Sequence, residues 1–363
     1  MNINRPRTAT LTLGGLFSVL LWPGNAFAEP TKTPRIEGAM PIEWQSDFAY
    51  RSDDTTNKRN NMFLMAEPEI TLHLPAGFSI FAHGVLQQVK AADPDEDRYF
   101  KDEALLVEDL FLRYANGPFT VTGGKLNPGF GRAWDVTPGV YGTDTAEDYE
   151  IAERIGLTAT YGFGNEAWGQ HNFTVGTFFL DTTPLAHSFG QTRGTTARSD
   201  GGVSNTEDFS SFNLVFEGGG IKSLPGFEYH SAYIHQTNGV DGTTDETGVA
   251  AYAAYAFNLG EVRWTPMVEL VRFENSGGTQ GTDKDYNTLA LSAEWKGWNG
   301  ALSYTGRDTQ AAGVSAVGDH FYQVGLGYSF EIGVNADIAW KRARESAVET
   351  DTVGGKVSYG FKF

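Results

Sequence analysis

The residues with the greatest chemical potential lie between Asn127 and Glu153, in the run NPGFGRAWDVTPGVYGTDTAEDYEIAE. Here Asp135, Asp144, Asp148 and Glu150 are set among aromatic and glycine residues. Carboxylates in such a setting supply fixed charge, and the rest of the chain gives them no reactive partner. There is no cysteine for thiol chemistry or metal thiolate binding, and the seven histidines contain no HExxH pattern. His230 and His235 are five residues apart and face opposite sides of any strand that carries both. Asp93-Pro-Asp95-Glu-Asp97 starts like a calcium loop, but Arg98 replaces the turn glycine and Ala104 the closing glutamate. Gly218-Gly219-Gly220 lacks the spacing and the Lys-Ser/Thr of a phosphate loop. No catalytic residue, metal ligand or cofactor is therefore assigned. Within the run, Thr145 followed by Asp148 is a capping-box spacing. It predicts a short helix with Glu147 and Asp148 in its first turn, and Glu150 beside Arg154 if the helix continues.

The elements that must position these residues are strands. Period-two alternation recurs along the chain. Ile42, Trp44, Phe48 and Tyr50 oppose Glu43, Gln45 and Asp47, and Leu289, Leu291, Ala293 and Trp295 oppose Thr288, Ser292 and Glu294. The same holds for Tyr322, Val324, Leu326, Tyr328 and Phe330 against Gln323, Gly325, Gly327 and Ser329. Phe227 to Gln236 is the least clean, with Ile234 on the same side as His230. Pro266 removes a ladder donor and points to a bulge. About sixteen such segments are counted along the sequence. One set of connections is tight, such as Ala115–Gly117, and the other is longer and polar. Aromatic residues collect at strand ends. This asymmetry predicts an all-β fold, a transmembrane antiparallel β-barrel with long extracellular loops, its apolar face toward lipid. A soluble sandwich would mix its loop lengths and bury its apolar residues between two sheets. Asn127–Glu153 becomes the third outer loop, expected to fold inward. The bases Arg113, Arg263, Arg307, Lys341 and Lys356 have polar-face parity and are expected to form a wall opposite the loop acids. Lys125 and Arg342 have apolar-face parity and are left out. The alternative for each of these charges is a solvated side chain or a structural ion pair.

Composition narrows the setting. Residues 1–28 combine a basic start (Arg5, Arg7), an apolar run and the exit Ala26-Phe27-Ala28, the pattern of a secretory signal peptide, leaving 29–363 as one barrel domain. The net charge is −18, and cleavage after Ala28 would make it two units more negative. Such acidity argues against nucleic acid as a partner.

Two passages carry a family resemblance. Val357-Ser-Tyr-Gly-Phe-Lys-Phe363 resembles the C-terminal assembly signal of Gram-negative outer-membrane proteins. Gly117-Pro-Phe-Thr-Val-Thr-Gly-Gly-Lys-Leu-Asn-Pro-Gly-Phe-Gly131 is similar to the strand-to-loop entry of bacterial porins of the sixteen-stranded trimeric type. The resemblance implies a homotrimer of water-filled channels in the outer membrane, recognised by the barrel assembly machinery through Phe363 and in contact with outer-membrane lipid and lipopolysaccharide. The third loop lacks the Pro-Glu-Phe-Gly-type run of enterobacterial general porins, so their constriction residues are not carried over. The resulting expectation is passive diffusion of small hydrophilic solutes with a mild cation preference. A channel selective for a sugar, phosphate or siderophore is the first alternative. A barrel lipase or protease and an adhesive barrel with a plugged lumen are the others.

Overall fold

The computed structural model describes residues 33–240, 244–311 and 313–363; the expected leader, residues 1–28, lies outside them. The first half of the chain forms β1 (Arg35–Ser52), β2 in two pieces (Arg59–Ala66 and Glu69–His73), β3 (Phe78–Gln88), β4 (Glu103–Asn116), β5 (Phe119–Leu126), β6 (Arg154–Asn165), β7 (Gly169–Leu180) and β8 (Ser211–Gly219). The second half forms β9 (Phe227–Gln236), β10 in two pieces (Glu246–Tyr255 and Phe257–Leu259), β11 (Val262–Glu274), β12 (Thr282–Trp295), β13 (Trp298–Ala311), β14 (Val314–Ser329), β15 (Val334–Glu345) and β16 (Val348–Lys362). Each strand pairs antiparallel with the next, and β16 pairs with β1 from Ala39↔Lys362 to Ser52↔Thr350. Reciprocal bonds between Gly38 and Phe363 (2.9 and 3.0 Å) continue the seam below that ladder. The result is a closed sixteen-stranded barrel. Closure leaves no ladder edge within the wall, the condition for a sheet to sit in hydrocarbon.

Alternation sets the two faces. Leu270, Leu289, Leu302, Val324 and Leu326 point outward and are about half exposed, while Glu43, Thr122, Glu269, Thr288, Gln323 and Ser358 point inward and are buried. Trp298 lies edge-on to Tyr328, and Tyr328 to Phe330, at the lower rim; Tyr304 packs on Tyr322 higher up. Along β14 the outward apolar run from Tyr322 to Phe330 spans roughly 20 Å of height at ~3.3 Å per residue and ~40° of tilt, close to the band expected of a lipid-facing barrel. The lower turns are tight. At Pro75–Gly77, Gly77 has φ +85°, and a Cβ there would stand 2.2 Å from the Ala115 carbonyl oxygen of the neighbouring turn, so only glycine fits.

The outer connections differ from expectation in two ways. β13 and β14 run on to Ala311 and Val314, and β15 and β16 to Glu345 and Val348. The polar stretches read as long loops there are hairpin extensions of the strands, with pairing continuing above the apolar band. Pro266 causes no bulge. The β10–β11 ladder stops at Ala254↔Met267 and resumes at Phe257↔Trp264 with equal residue counts on both strands, so the missing donor is absorbed by a gap. The long loop after β7 returns to the wall, where Phe189–Gly190 pairs with Leu105–Ala104 of β4. That edge is free because β5 ends at Leu126, opposite the middle of β4.

If the outward face meets lipid, Leu326→Arg should lower folding stability in bilayers by about 2–4 kcal/mol, as charge does near the midplane of a barrel. Urea titration of the protein folded into vesicles measures this. A loss under about 0.5 kcal/mol, typical of an exposed site in water, would contradict a membrane-facing wall.

Candidate functional site

The segment from Asn127 to Glu153, here called L3, folds into the barrel. Asn127 ties its two ends together. The Asn127 side chain accepts from the Glu153 amide (2.7 Å) and donates to Glu108 on β4 (2.9 Å). From there the loop crosses the inner wall as a series of anchored steps. The Gly129 carbonyl accepts from Asn213 of β8 (2.8 Å), and the Phe130 carbonyl from His230 of β9 (2.8 Å). The Glu269 carboxylate of β11, 1% exposed, accepts from the amides of Arg132 (2.5 Å) and Ala133 (3.1 Å) and from the Tyr149 hydroxyl (2.6 Å). Its charge stands at the start of a one-turn helix, Ala133–Val136, where free amides favour an anion. Gln323 of β14 donates to the Pro138 carbonyl (2.9 Å) and accepts from the Tyr141 amide. Gly139 beside it has φ +100°, and any Cβ would lie 2.5 Å from the Gln323 amide. The Tyr141 hydroxyl donates to Asp47 of β1 (2.7 Å). Burial first, and then these carboxylates, push the Tyr141 and Tyr149 phenols upward, so both remain donors.

Between these polar anchors lies an apolar core inside the lumen. Phe130, Trp134, Tyr149 and Ile151 of L3 pack on Ile234, Met267, Phe273 and Tyr286 of β9, β11 and β12, with ring centroids 5.0 Å apart for Phe130–Phe273 and 4.9 Å for Tyr149–Tyr286. The irregular alternation of β9, with Ile234 on the inner face, is the sequence trace of this core.

The four loop acids divide into two classes. Asp144 pairs with Lys341 of β15 (2.6 Å), whose ammonium also sits 4.3 Å from the Tyr141 ring centre. Asp148 pairs with Arg307 of β13, which is also held by Asp319 (2.7 Å). These two acids clip the loop to the wall. Asp135 pairs with Arg132 within the loop (2.8 Å), and Glu150 is half-buried with no ion pair among the described residues. Burial pushes the Glu150 carboxyl well above the usual carboxylate range, and Glu108, Asp135, Glu147 and Asp109 push it the same way. The helix begun near Thr145 is a single 3₁₀ turn, Ala146–Tyr149, without a side-chain cap; Glu150 is extended, so it does not share a helical face with Arg154.

The bases expected to form a wall opposite the loop acids lie at several places on the barrel. Arg307 and Lys341 touch the loop directly instead of facing it across an opening, and Lys356 is neutralised by Glu43 (3.2 Å). Arg113 lies low on β4, over the Phe111 ring, and Arg263 is exposed at the second residue of β11. The inner face of β2–β4, beside the start of L3, is acidic. His83 of β3 sits between Asp109 (3.3 Å) and Glu67 (3.9 Å). A register shift at His83/Gly84 accommodates an extra residue in β4, which lets the consecutive Glu108 and Asp109 both point inward. Parity alone assigns them to opposite faces. Lys125, set aside on parity, has a fully buried side chain paired with Glu153 (3.0 Å) and Asp181 (2.9 Å), because the loop after β7 covers it. Glu153 also meets Arg193 of that loop (2.5 Å). Burial opposes its charge, but Arg193 and Lys125 more than offset this and hold the carboxyl below its usual range. Arg342 points outward, as its parity requires, and pairs with Asp351 (2.7 Å).

A closed barrel crossed by an inward third loop can be compared with known structures. The outer membrane channel DcaP of Acinetobacter baumannii superposes with TM-score 0.58 at 10% identity, covering 92% of this chain and 99% of that one. This is the barrel fold of the Gram-negative porins. Salmonella typhi OmpF, in a complex with daunomycin, aligns with TM-score 0.56 at 13% identity, over 90% of this chain and 97% of the other. An anion-selective porin from Comamonas acidovorans aligns with TM-score 0.53 at 12% identity, over 91% and 99%. No family model matches the chain, and no curated protein matches it in sequence. The porin fold is thus carried by a sequence far from these three.

Glu269 is the anchor whose loss should free the loop. Glu269→Ala leaves three donors without an acceptor in a site closed to water, and should cost about 2–4 kcal/mol, since each stranded group costs ~1–3 and relaxation recovers part. Single-channel recordings should show more open-channel noise than the parent. A quiet trace with unchanged thermal unfolding would mean the carboxylate holds nothing in place.

Proposed function

We propose that this chain forms a water-filled channel in the outer membrane of a Gram-negative cell and passes small hydrophilic solutes by diffusion, with a preference for cations. The observation that supports this reading most is the grouping of acids around Glu150, where L3 meets β4. Glu150 on L3 is within electrostatic reach of Asp135 on the same loop and of Glu108 and Asp109 on β4, beside the loop's start, and all three raise its carboxyl. The bases nearby are engaged: Arg132 with Asp135, and Lys356 with Glu43. A narrow passage between carboxylates focuses a negative potential and raises the local concentration of cations. In this reading the leader 1–28 directs export, and the barrel assembles as a homotrimer. A Vibrio cholerae outer-membrane protein, OmpT, with TM-score 0.52 and 8% identity to this chain, is described in a trimer form.

The test is the zero-current potential of the purified protein in a planar bilayer under a potassium chloride gradient. Cation preference is expected, and anion preference overturns it. Glu150→Gln combined with Asp109→Asn should move the potential toward neutrality. The pH dependence has a definite sign. Because the Glu150 carboxyl is shifted upward, it is charged only above that raised range. Preference for cations should therefore rise as pH increases through the range and fall below it, and the step should disappear in Glu150→Gln. The same upward shift means the charged form is disfavoured in the folded state, so Glu150→Gln should not reduce stability at neutral pH.

A further inference from the structure

Two phenyl rings stand on the inner face of β3 and β4, away from the apolar core under L3. Arg113 shares a ladder row with the inward Thr122, which puts Phe111, two residues along β4, on the inner face as well. Phe111 is directly opposite Phe81 of β3, with ring centroids 5.0 Å apart. Both rings are partly exposed, whereas Phe63, Phe178, Tyr252, Phe273, Tyr286 and Phe321, also on inner faces, are buried. Next in the row come Gly124 of β5 and Gly156 of β6, so no side chain screens Phe111 from that side. The gap is fixed by the backbone: Gly124 has φ +144°, and a Cβ there would lie 2.4 Å from the Leu110 carbonyl oxygen. Nearer the short turns, Arg113 is exposed and has no ion pair among the described residues. It donates to Thr122 (3.4 Å), and its guanidinium lies 5.1 Å from the Phe111 ring centre. On the other side of the rings, one row holds Glu69, His83 and Asp109. His83 is engaged by Asp109 and Glu67, which leaves Glu69 half-buried with no ion pair or hydrogen bond among the described residues. These rows follow one another along β3 and β4, so the order up the wall is base, rings, acid. Rows two residues apart are ~7 Å apart along a strand. Because Arg113 leans over Phe111, its guanidinium stands roughly one such step, about 7 Å, from the acid row.

We propose that this stretch of inner wall is a transit site for zwitterionic aromatic α-amino acids, with the carboxylate on Arg113, the ammonium toward Glu69 and the side-chain ring against Phe81 and Phe111. The proposal rests on the channel reading above and names a solute class for it. Ring surface left in water gains from being covered by a flat apolar group. The charges select the rest of the solute. An ammonium and a carboxylate on one carbon are on the order of 3 Å apart, and with a charged hydrogen bond of ~2.8 Å at each end they span roughly 8 Å, close to the separation of base and acid here. A simple cation is repelled by Arg113 and a simple anion by Glu69, so neither uses both ends of the site.

The experiment measures block of potassium current through the full-length barrel in a planar bilayer by four matched solutes: phenylalanine, alanine, phenethylamine and 3-phenylpropanoate. Phenylalanine should block saturably, and the other three, each lacking the ring, the carboxylate or the ammonium, should need at least about tenfold more, the order set by one charged hydrogen bond or one stacked ring. Phe111→Leu should raise the half-blocking concentration of phenylalanine about fivefold. Arg113→Gln should weaken block by phenylalanine about tenfold while strengthening block by phenethylamine, and Glu69→Gln should weaken phenylalanine while strengthening 3-phenylpropanoate. A variant that merely distorts the barrel does not produce these opposite shifts. Equal block by alanine would show that the rings do nothing, and equal block by phenethylamine would reduce the site to one for aromatic cations; either overturns the proposal, as does a conducting channel that phenylalanine leaves unblocked. Calorimetric titration of the folded barrel in detergent with phenylalanine reads binding without conduction. Binding by a barrel that carries no current would sink the channel reading and leave the site, and current without binding would sink the site and leave the channel.

Discussion

The constraint on which everything else depends is that a wall facing lipid cannot leave backbone donors and acceptors unpaired. The seam between β1 and β16, extended by the Gly38–Phe363 pair, satisfies it around the circumference. It also restricts where irregular backbone can go. A loop of L3's length, with several carbonyls turned away from any ladder, finds partners only inside the lumen, where Asn213, His230, Gln323 and Glu269 supply them. Sending L3 inward opens a defect in turn, since β5 stops early and the upper edge of β4 loses its neighbour. The loop after β7 repairs this with Phe189–Gly190 and covers Lys125 from outside. The inward loop and the outer flap are thus two consequences of one short strand.

Charge inside this barrel serves two purposes that composition cannot separate. Asp144, Asp148, Lys341 and Arg307 form pairs across large sequence distances and hold L3 against β13 and β15. Removing one member of such a shielded pair strands the other, which is why these contacts fasten the loop. A paired charge contributes little net field to a passing ion. Glu108, Asp109 and Glu150 have fewer basic partners, and the proposed ion preference rests with them. The apolar core beneath L3 completes the fastening. Tyr149 belongs to both systems, stacking on Tyr286 while donating to Glu269.

Much of the architecture was legible in the alternation of residues such as Leu289, Leu291 and Trp295, because lipid on one side and water on the other impose a period of two. The inward third loop was legible from its place in the strand order. What parity could not show were events that break parity or cross it. The bulge in β4 turns Glu108 and Asp109 to the same side, and nothing local in the sequence marks it. Lys125 has an outward backbone position, but a loop sixty residues further on buries it. Alternation says which side of a strand a base occupies. It is silent on height and on what lies in front, so Arg263 near the lower rim and Lys341 under L3 read alike. The strands also outran their apolar stretches at β13–β16, since hydrogen bonding continues after lipid contact ends.

The comparison with an anion-selective porin sharpens the question of selectivity. That protein shares the fold at 12% identity, so the fold alone does not set a preference for cations. In the proposed channel, selectivity must then lie in side chains within reach of the ion path. Charges in salt solution are screened over roughly 8 Å at physiological ionic strength, and less strongly where the walls exclude water. By this measure a charge far from a given point adds little to the potential there, whatever the net charge of −18. In the proposed channel, the carboxylates grouped around Glu150 matter more than that total. Burial raises the Glu150 carboxyl and the surrounding acids raise it further, which are the conditions under which a site draws in a counter-ion to relieve its own repulsion. In the proposed channel, the crowding that makes this carboxylate costly to ionise is also what a passing cation would relieve.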